Sequence, residues 1–170
     1  MAIIRGWSCW ENPPRAYEIG VDEDAAGEGV VSGYVRSLSP DFGVFGALMQ
    51  KLNATDYHGK RIRLSGKLKC ANVIKRCGFF MEVFKEMSML GVDNMTDRPV
   101  SGDQDWKYFE LVLDVPGSAQ GINFGVRLVE SGQVWISGMK LEIVDKTVPL
   151  TDEKMPSNWP KAPVNMDFNE

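Results

Sequence analysis

Apolar and polar residues alternate along much of this sequence, and this period of two constrains the fold more than any other feature. Ile62, Leu64 and Leu68 share one parity, whereas basic and small residues occupy the positions between them. The same alternation returns over residues 108–115 and 122–129. It is typical of a β-strand that buries one face and exposes the other. We therefore expect strands, and not helices, to form the body of the protein.

Turn-forming residues separate the alternating stretches at intervals of about 8–12 residues, a spacing typical of an all-β sandwich or barrel. Pro116-Gly117 is one such turn. Further strands are expected over residues 30–38, 43–52, 77–85, 133–137 and 139–144. We predict an all-β fold, a two-sheet antiparallel β-sandwich of the jelly-roll kind, with helix confined to short turns.

One segment, residues 79–90, also fits a helix, because Phe80, Phe84 and Met87 stand at helical spacing. Its aromatic content and the alternating stretches around it favour a strand instead. We therefore expect the sandwich to continue through this segment.

Composition indicates one globular domain with no special surface chemistry. The chain has 170 residues, of which 44% are hydrophobic and 25% charged, close to globular averages. The net charge of −4 has the wrong sign for phosphate backbones, so we expect no nucleic-acid binding by this chain alone. No stretch has the ~20 apolar residues of a membrane span, and the N-terminus has no signal-peptide pattern. We expect no membrane association and a cytoplasmic location.

The C-terminal residues differ in composition from the rest of the chain. Residues 1–150 are expected to form a single β-sandwich domain, and residues 151–170 a proline-rich C-terminal tail whose prolines cannot donate ladder hydrogen bonds. The tail also contains Trp159, Met166 and Phe168. We expect these large apolar residues to dock on the body or on a neighbouring chain, which would allow a homodimer through the tail.

Catalytic motifs are missing from the sequence. His58 is the single histidine, and no Gly-x-Ser-x-Gly elbow accompanies it. No glycine-rich phosphate loop stands in a strand–helix context. We expect His58 to be a plain surface residue, and the chain to be no enzyme and to need no cofactor.

Metal binding has little support as well. The sequence has one histidine and no Cys-x-x-Cys, so a four-ligand zinc site is excluded. Four acidic residues could supply oxygen ligands to calcium, although their spacing does not match the twelve-residue calcium loop. These are Asp93, Asp97, Asp103 and Asp105. We expect them to be solvated turn residues.

Residues out of phase with the core define the expected ligand site. Side chains of one parity share one face of a strand, so the other parity lines the opposite face. The candidate ligand-binding residues are Gln50, Phe80, Glu82, Arg127 and Trp135. An amide, a carboxylate and a guanidinium around aromatic rings suit a hydroxyl-rich ligand. Two alternatives stay open: a Glu82–Arg127 ion pair with no ligand, and a Trp135 covered by the tail or by the N-terminal segment.

Several motifs resemble a bacterial family of small stand-alone domains. They include Lys60-Arg-Ile-Arg-Leu-Ser-Gly, Asp93-Asn-Met-Thr-Asp-Arg-Pro-Val-Ser-Gly, Asp105-Trp-Lys-Tyr-Phe-Glu-Leu-Val-Leu-Asp-Val-Pro and Gly132-Gln-Val-Trp-Ile. The similarity runs from about Trp7 to Thr151. Members are often labelled AraC-type transcriptional regulators or left uncharacterised. The resemblance implies a galactose-binding-like jelly roll, akin to carbohydrate-binding modules.

Two functions follow as expectations. The first is a non-catalytic ligand-binding module of the carbohydrate-binding-like jelly-roll type, with a carbohydrate or another small hydroxyl-rich or polar molecule as ligand. The second is a regulatory or protein–protein interaction domain associated with transcriptional regulators, without DNA binding of its own. Fold analogy alone does not choose between them.

Cys9, Cys70 and Cys77 are expected to be free thiols, because an odd and sparse set is typical of a reducing compartment. We predict that thiol titration under denaturing, non-reducing conditions counts three. A count of one would reveal an internal disulfide and contradict the cytoplasmic location.

Overall fold

A computed structural model describes residues 4–25, 30–38 and 44–153. This part of the chain contains one short 3-10 turn, Thr55–Tyr57, and no α-helix. Its strands are β1 (Ser8–Asn12), β2 (Tyr17–Asp22), β3 (Ser32–Ser37), β4 (Phe45–Asn53), β5 (Arg61–Lys85), β6 (Ser88–Asp93), β7 (Val100–Asp114), β8 (Gly121–Val129) and β9 (Gln133–Val144).

Strand β5 runs through both layers of the fold. Its first half pairs with β7 and β9, and its second half pairs with β8 and β6, always antiparallel. Between the halves, Asn72 has a φ of 54°, in the left-handed region that asparagine tolerates better than most residues. The register with β7 also shifts around this point. The strand therefore bends at Asn72 and passes from one layer into the other.

The pairing produces two five-stranded layers. The first sheet has the order β2-β3-β9-β5-β7, and the second has the order β1-β4-β8-β5-β6, with β5 shared between them. The predicted two-sheet antiparallel jelly roll is confirmed. Residues 79–90 form the end of β5, a tight turn and the start of β6, so the strand prediction is also confirmed there.

The core lies between the two sheets and follows the predicted alternation. On β5, Ile62, Leu64 and Leu68 face inward from the first sheet, and Phe79, Met81 and Val83 from the second. The partner strands contribute Leu111, Leu113, Ile122, Phe124, Val126, Leu128, Val134 and Ile136. Burying a large apolar side chain stabilises a fold by roughly 1.5–3 kcal/mol, so this continuous cluster holds the layers together.

Asp93, at the end of β6, is fully buried and ties three segments together. Its carboxylate accepts hydrogen bonds from the backbone N–H of Met95, from the Arg98 guanidinium and from the Thr151 hydroxyl. Thr151 also hydrogen-bonds to the backbone of Val112 on β7. The expectation of a solvated turn residue is wrong for Asp93, because the neighbouring donors compensate the burial of its charge.

The other three acids do not converge with Asp93. Asp97 pairs with Arg98, Asp103 accepts the N–H of Asn72, and Asp105 accepts the N–H of Trp106. Across the described ranges, no group of three or more His, Cys, Asp and Glu could hold a metal ion.

The cysteines are free thiols in the structure, with Cys70 and Cys77 buried and Cys9 half-buried. Burial is the main cause that raises the pKa of all three thiols. In the described segments, no helix is long and apolar enough to cross a membrane. Trp159, Met166 and Phe168 lie outside the described residues, as does everything from 154 to 170.

Replacing Asp93 tests the role of the buried carboxylate. We expect Asp93→Ala to lower the free energy of unfolding by about 2–3 kcal/mol, because it leaves the Arg98 guanidinium and the Thr151 hydroxyl without their shared partner. Chemical denaturation measures the loss. The matched control is Asp97→Ala, which removes an acid that is 75% exposed from the same arginine and should cost less than about 1 kcal/mol. Equal effects of the two substitutions would contradict this role.

Candidate functional site

The outer face of the second sheet, opposite the core, carries an open groove of about 690 Å³. Strands β1, β4, β5 and β8 form its floor, and the turn between β5 and β6 forms one wall. The described residues that line it are Ser8, Trp10, Met49, Lys51, Glu82, Phe84, Glu86, Met87, Ser88, Met89 and Asn123. Its volume lies within the range of known small-molecule sites.

Strand register explains why these side chains meet. Lys51 stands directly opposite Asn123, and Asn123 directly opposite Glu82. Because cross-strand partners share a face, the three form a polar row across β4, β8 and β5. Phe84 lies over Gly121, where an added Cβ would be only 2.3 Å from its ring. Glycine at this position therefore lets the ring lie across β8.

Glu82 is the centre of the polar row. Asn123 donates from Nδ2 to one carboxylate oxygen at 3.4 Å, and the Arg127 guanidinium lies 3.6 Å from the other. The Oδ1 atom of Asn123 is buried and has no hydrogen-bond partner among the described residues. A buried acceptor without a donor is costly for the fold, and because this oxygen is buried a ligand in the groove does not contact it.

Arg127 is held beside the groove by two aromatic rings. Its guanidinium carbon lies 4.7 Å from the centre of Phe80 and 5.5 Å from the centre of Phe45. Burial lowers the pKa of Arg127, and the charge of Glu82 acts in the opposite direction. The rings and the carboxylate together fix the position of the cation.

The walls of the groove expose apolar surface to water. Trp10 is 52% exposed and packs edge-on against Phe45, with ring centres 5.1 Å apart. On the opposite wall, Met87 is 100% exposed and Met89 is 52% exposed. The Lys51 ammonium lies 5.3 Å from the centre of the Phe84 ring. The groove thus combines aromatic and thioether surface with a central row of polar groups.

Three of the five predicted site residues come together on this face. Phe80, Glu82 and Arg127 are neighbours, whereas Gln50 is not among them. On β4 the core residue is Leu48, so Gln50 shares its parity and stands opposite the buried Phe124. The prediction that placed Gln50 on the outer face is wrong. The reason is that β4 is apolar on both faces.

Met49 shows why the parity of β4 was misread. It lies on the outer face, in a small buried cluster with Ala47 and Phe80. An apolar residue at this position resembles a core residue in the sequence, and it made Gln50 look outward-facing. The alternation of apolar residues on β4 therefore did not indicate which of its two faces points toward the core.

Trp135 lies on the other sheet, so its predicted convergence with Glu82 and Arg127 is also wrong. It belongs to β9 and stands opposite Tyr34 of β3. Its indole N–H donates to Asp22 at 2.9 Å, and the Lys69 ammonium lies 5.6 Å from its ring. Trp135 is half-buried, and these two contacts come from strands of its own sheet.

The sequence reasoning missed several lining residues. Asn123 has the same parity as Arg127 on β8, so the alternation rule could have found it. Trp10 lies on a short edge strand whose alternation is too brief to stand out, and Met87 lies in a turn. His58 is half-buried instead of a plain surface residue, and its Nε2 lies 2.7 Å from the carbonyl oxygen of Ala119.

Comparison with known proteins gives a sequence match over nearly the whole of this chain. The Uncharacterized HTH-type transcriptional regulator YbfP of Bacillus subtilis (strain 168) is 37% identical over 169 residues, which cover 98% of this chain. The match covers 57% of that protein, so this chain spans little more than half the length of the relative. No family model matches the chain.

Solved structures share the fold at low sequence identity. The CBM22-1 xylan-binding domain of Paenibacillus barcinonensis Xyn10C has a TM-score of 0.58 at 13% identity, covering 82% of this chain and 86% of that one. The Stig cyclase Fisc of Fischerella sp. TAU has a TM-score of 0.60 at 15% identity, covering 82% and 85%. The expected resemblance is confirmed: a relative is named a transcriptional regulator, and the fold is that of carbohydrate-binding modules.

Replacing Trp135 tests its contact with Asp22. The indole N–H is the main cause of the lowered pKa of Asp22. We expect Trp135→Phe to raise this pKa part of the way to its ordinary value, because the N–H groups of Asp24 and Ala25 still donate to the carboxylate. NMR titration of the Asp22 carboxyl measures the change.

Stability should change in the same experiment. A carboxyl group with a pKa lowered by folding stabilises the protein above its unfolded pKa, and this contribution is lost as the pH falls through its folded pKa. The Trp135→Phe variant should therefore lose less stability on acidification than the parent. Trp10→Phe, on the other sheet, is the control and should leave the pKa of Asp22 unchanged. An unchanged pKa in Trp135→Phe would contradict the contact.

Proposed function

We propose that this chain is a non-catalytic ligand-binding module that holds a small hydroxyl-rich molecule, such as a carbohydrate, in the groove of the second sheet. The observation that carries the proposal is the polar row of Lys51, Asn123 and Glu82 beside the exposed ring of Trp10. Polar groups that orient a ligand, next to apolar surface that supplies area, are typical of small-molecule sites.

The polar row suits hydroxyl groups in particular. A hydroxyl both donates and accepts, and the row offers both functions: the Lys51 ammonium donates, while the Glu82 carboxylate accepts. Neighbouring strands are about 4.8 Å apart, so the row presents its groups at regular intervals. A ligand with several hydroxyls along its length would match them together.

Trp10 supplies the apolar part of the site. The face of an indole ring is electron-rich, so it attracts the C–H groups that carry partial positive charge on the flat side of a sugar ring. The edge-on contact with Phe45 holds the indole in place without covering it. Such a prepared ring loses little conformational entropy on binding.

Binding without catalysis is the simpler function for this groove. Its described lining residues include no histidine and no cysteine. Glu82 is engaged by Arg127 and Asn123, which hold it in a binding geometry. The structural neighbours include both a xylan-binding module and a cyclase, so the fold itself does not decide the matter.

The second part of the proposal is that the chain takes part in transcriptional regulation. The name of the longer relative favours this role. This chain spans 57% of a protein named as an HTH-type transcriptional regulator. The described residues contain no α-helix that could enter a major groove. We propose that the chain senses a ligand in the cytoplasm, and that DNA contact, where it occurs, belongs to other parts of such a regulator.

A thermal-shift screen against sugars, nucleosides and small metabolites tests the proposed function. A molecule that binds the folded state at about 100 times its Kd stabilises it by about 2.7 kcal/mol, or roughly 5–10 °C for a chain of this size. We expect Trp10→Ala and Asn123→Ala to abolish or strongly reduce the shift. Trp135→Phe, on the other sheet, is the matched control and should keep it.

The melting temperatures of the ligand-free variants are needed to interpret the shifts. Trp10 is about half exposed and packs against Phe45, so Trp10→Ala should lower the melting temperature of the free protein moderately, and the ligand-induced shift of each variant is measured from its own ligand-free value. A shift that survives Trp10→Ala and Asn123→Ala would place the ligand elsewhere and contradict the proposal. A complete screen without any shift would contradict it as well.

A further inference from the structure

We infer that the ligand of the groove is a sugar joined to an aromatic ring, and that this ring lies against the surface formed by Phe84, Met87 and Met89. The inference rests on the proposed function, because it names the class of ligand that the same groove would take. Three observations carry it: this apolar surface adjoins the polar row, a cation stands at the border between them, and the two methionines are exposed to the groove.

The apolar surface adjoins the polar row along the direction of the strands. Phe84 follows Glu82 by two residues on β5, so the two side chains share the outer face and start about 7 Å apart. Met89 on β6 stands directly opposite Phe84, and Met87 lies in the turn between the two strands. A ligand whose hydroxyls bind the polar row therefore places its next group on Phe84 and the two thioethers.

The position of Lys51 favours an aromatic group over an aliphatic one. Lys51 belongs to the polar row, yet its ammonium lies 5.3 Å from the centre of the Phe84 ring. Its charge therefore stands at the border between the row and the apolar surface. An aromatic ring packed beside Phe84 would present its electron-rich face to the same ammonium, whereas an aliphatic group offers no such attraction.

The two methionines are suited to pack on a ring. Met87 is 100% exposed and Met89 is 52% exposed, so both thioethers are accessible from the groove. The turn that carries them is held in place: Glu86 has a φ of 51°, and its backbone N–H donates to the Gln120 side-chain oxygen at 2.7 Å. Methionine side chains are unbranched and adaptable, and their sulfur makes favourable contacts with aromatic rings. A fixed turn with free thioethers can therefore close on a flat group.

Matched pairs of probes test the inference. Phenyl glycosides of glucose, galactose, xylose and mannose are compared with the methyl glycosides of the same sugars. Nucleosides also join a sugar to a flat ring, so adenosine and uridine are compared with methyl β-riboside. Isothermal titration calorimetry measures each Kd. We expect at least one aromatic probe to bind about tenfold more tightly than its methyl counterpart, because its ring covers apolar surface that the methyl group leaves in water. The pair that shows the preference identifies the source of the ring.

Replacing both methionines removes the surface that the ring would contact. The double variant Met87→Ser, Met89→Ser should lose most of the preference for the aromatic probe and keep the Kd of the methyl counterpart. Because the two side chains are half or fully exposed, the variant should fold like the parent. The matched control is Ile74→Ser, which removes an apolar side chain that is 72% exposed near the bend of β5, and it should keep the preference.

The calorimetric results separate this inference from the proposed function. Equal affinities within every pair of probes would overturn the inference and leave the proposed function intact. A preference that survives in the double variant would overturn it as well, because the ring would then lie elsewhere. Binding by none of the probes, aromatic or methyl, would contradict both the inference and the proposed function.

Nuclear Overhauser contacts locate the ring directly. The methionine methyl groups are labelled with carbon-13, and those of Met87 and Met89 are assigned from the single serine variants. With the preferred aromatic probe bound, both methyl groups should show contacts to protons of the aromatic ring. Contacts from these methyl groups to sugar protons alone would place the ligand in the reverse orientation and overturn the inference.

Discussion

The pairing of β5 with four other strands is the constraint on which the rest of the structure depends. Its first half belongs to one sheet and its second half to the other, so the bend at Asn72 places the two sheets face to face. The inward residues of both halves then meet in one core. The outward residues of the second half, Phe80, Glu82 and Phe84, lie on the face that carries the groove. One strand thus supports both the fold and the candidate site.

The outer face of the second sheet is organised by its own small apolar cluster. Ala47, Met49 and Phe80 pack together there, outside the main core. Phe80 holds Arg127, and Arg127 holds Glu82. Because packing and charge fix these groups before any ligand arrives, little conformational entropy remains to be lost on binding. A merely solvated sheet face would not require such an arrangement.

The end of the described chain is connected to this face by hydrogen bonds. Thr151 binds the buried Asp93, and Glu153 binds Asn94, which in turn contacts Arg127. These contacts join the groove to the position where residue 154 begins.

The sequence by itself determined the fold class and the inward face of most strands, because alternation is a local property of an extended chain with one buried side. It correctly grouped Phe80, Glu82 and Arg127. Only the tertiary structure decided which sheet each strand joins, and so it separated Trp135 from the groove. It also decided the face of Gln50, since β4 is apolar on both sides, and the burial of Asp93, whose partners are distant in sequence. Parity follows from the backbone of a single strand, whereas strand pairing and the compensation of buried charge depend on residues that only folding brings together.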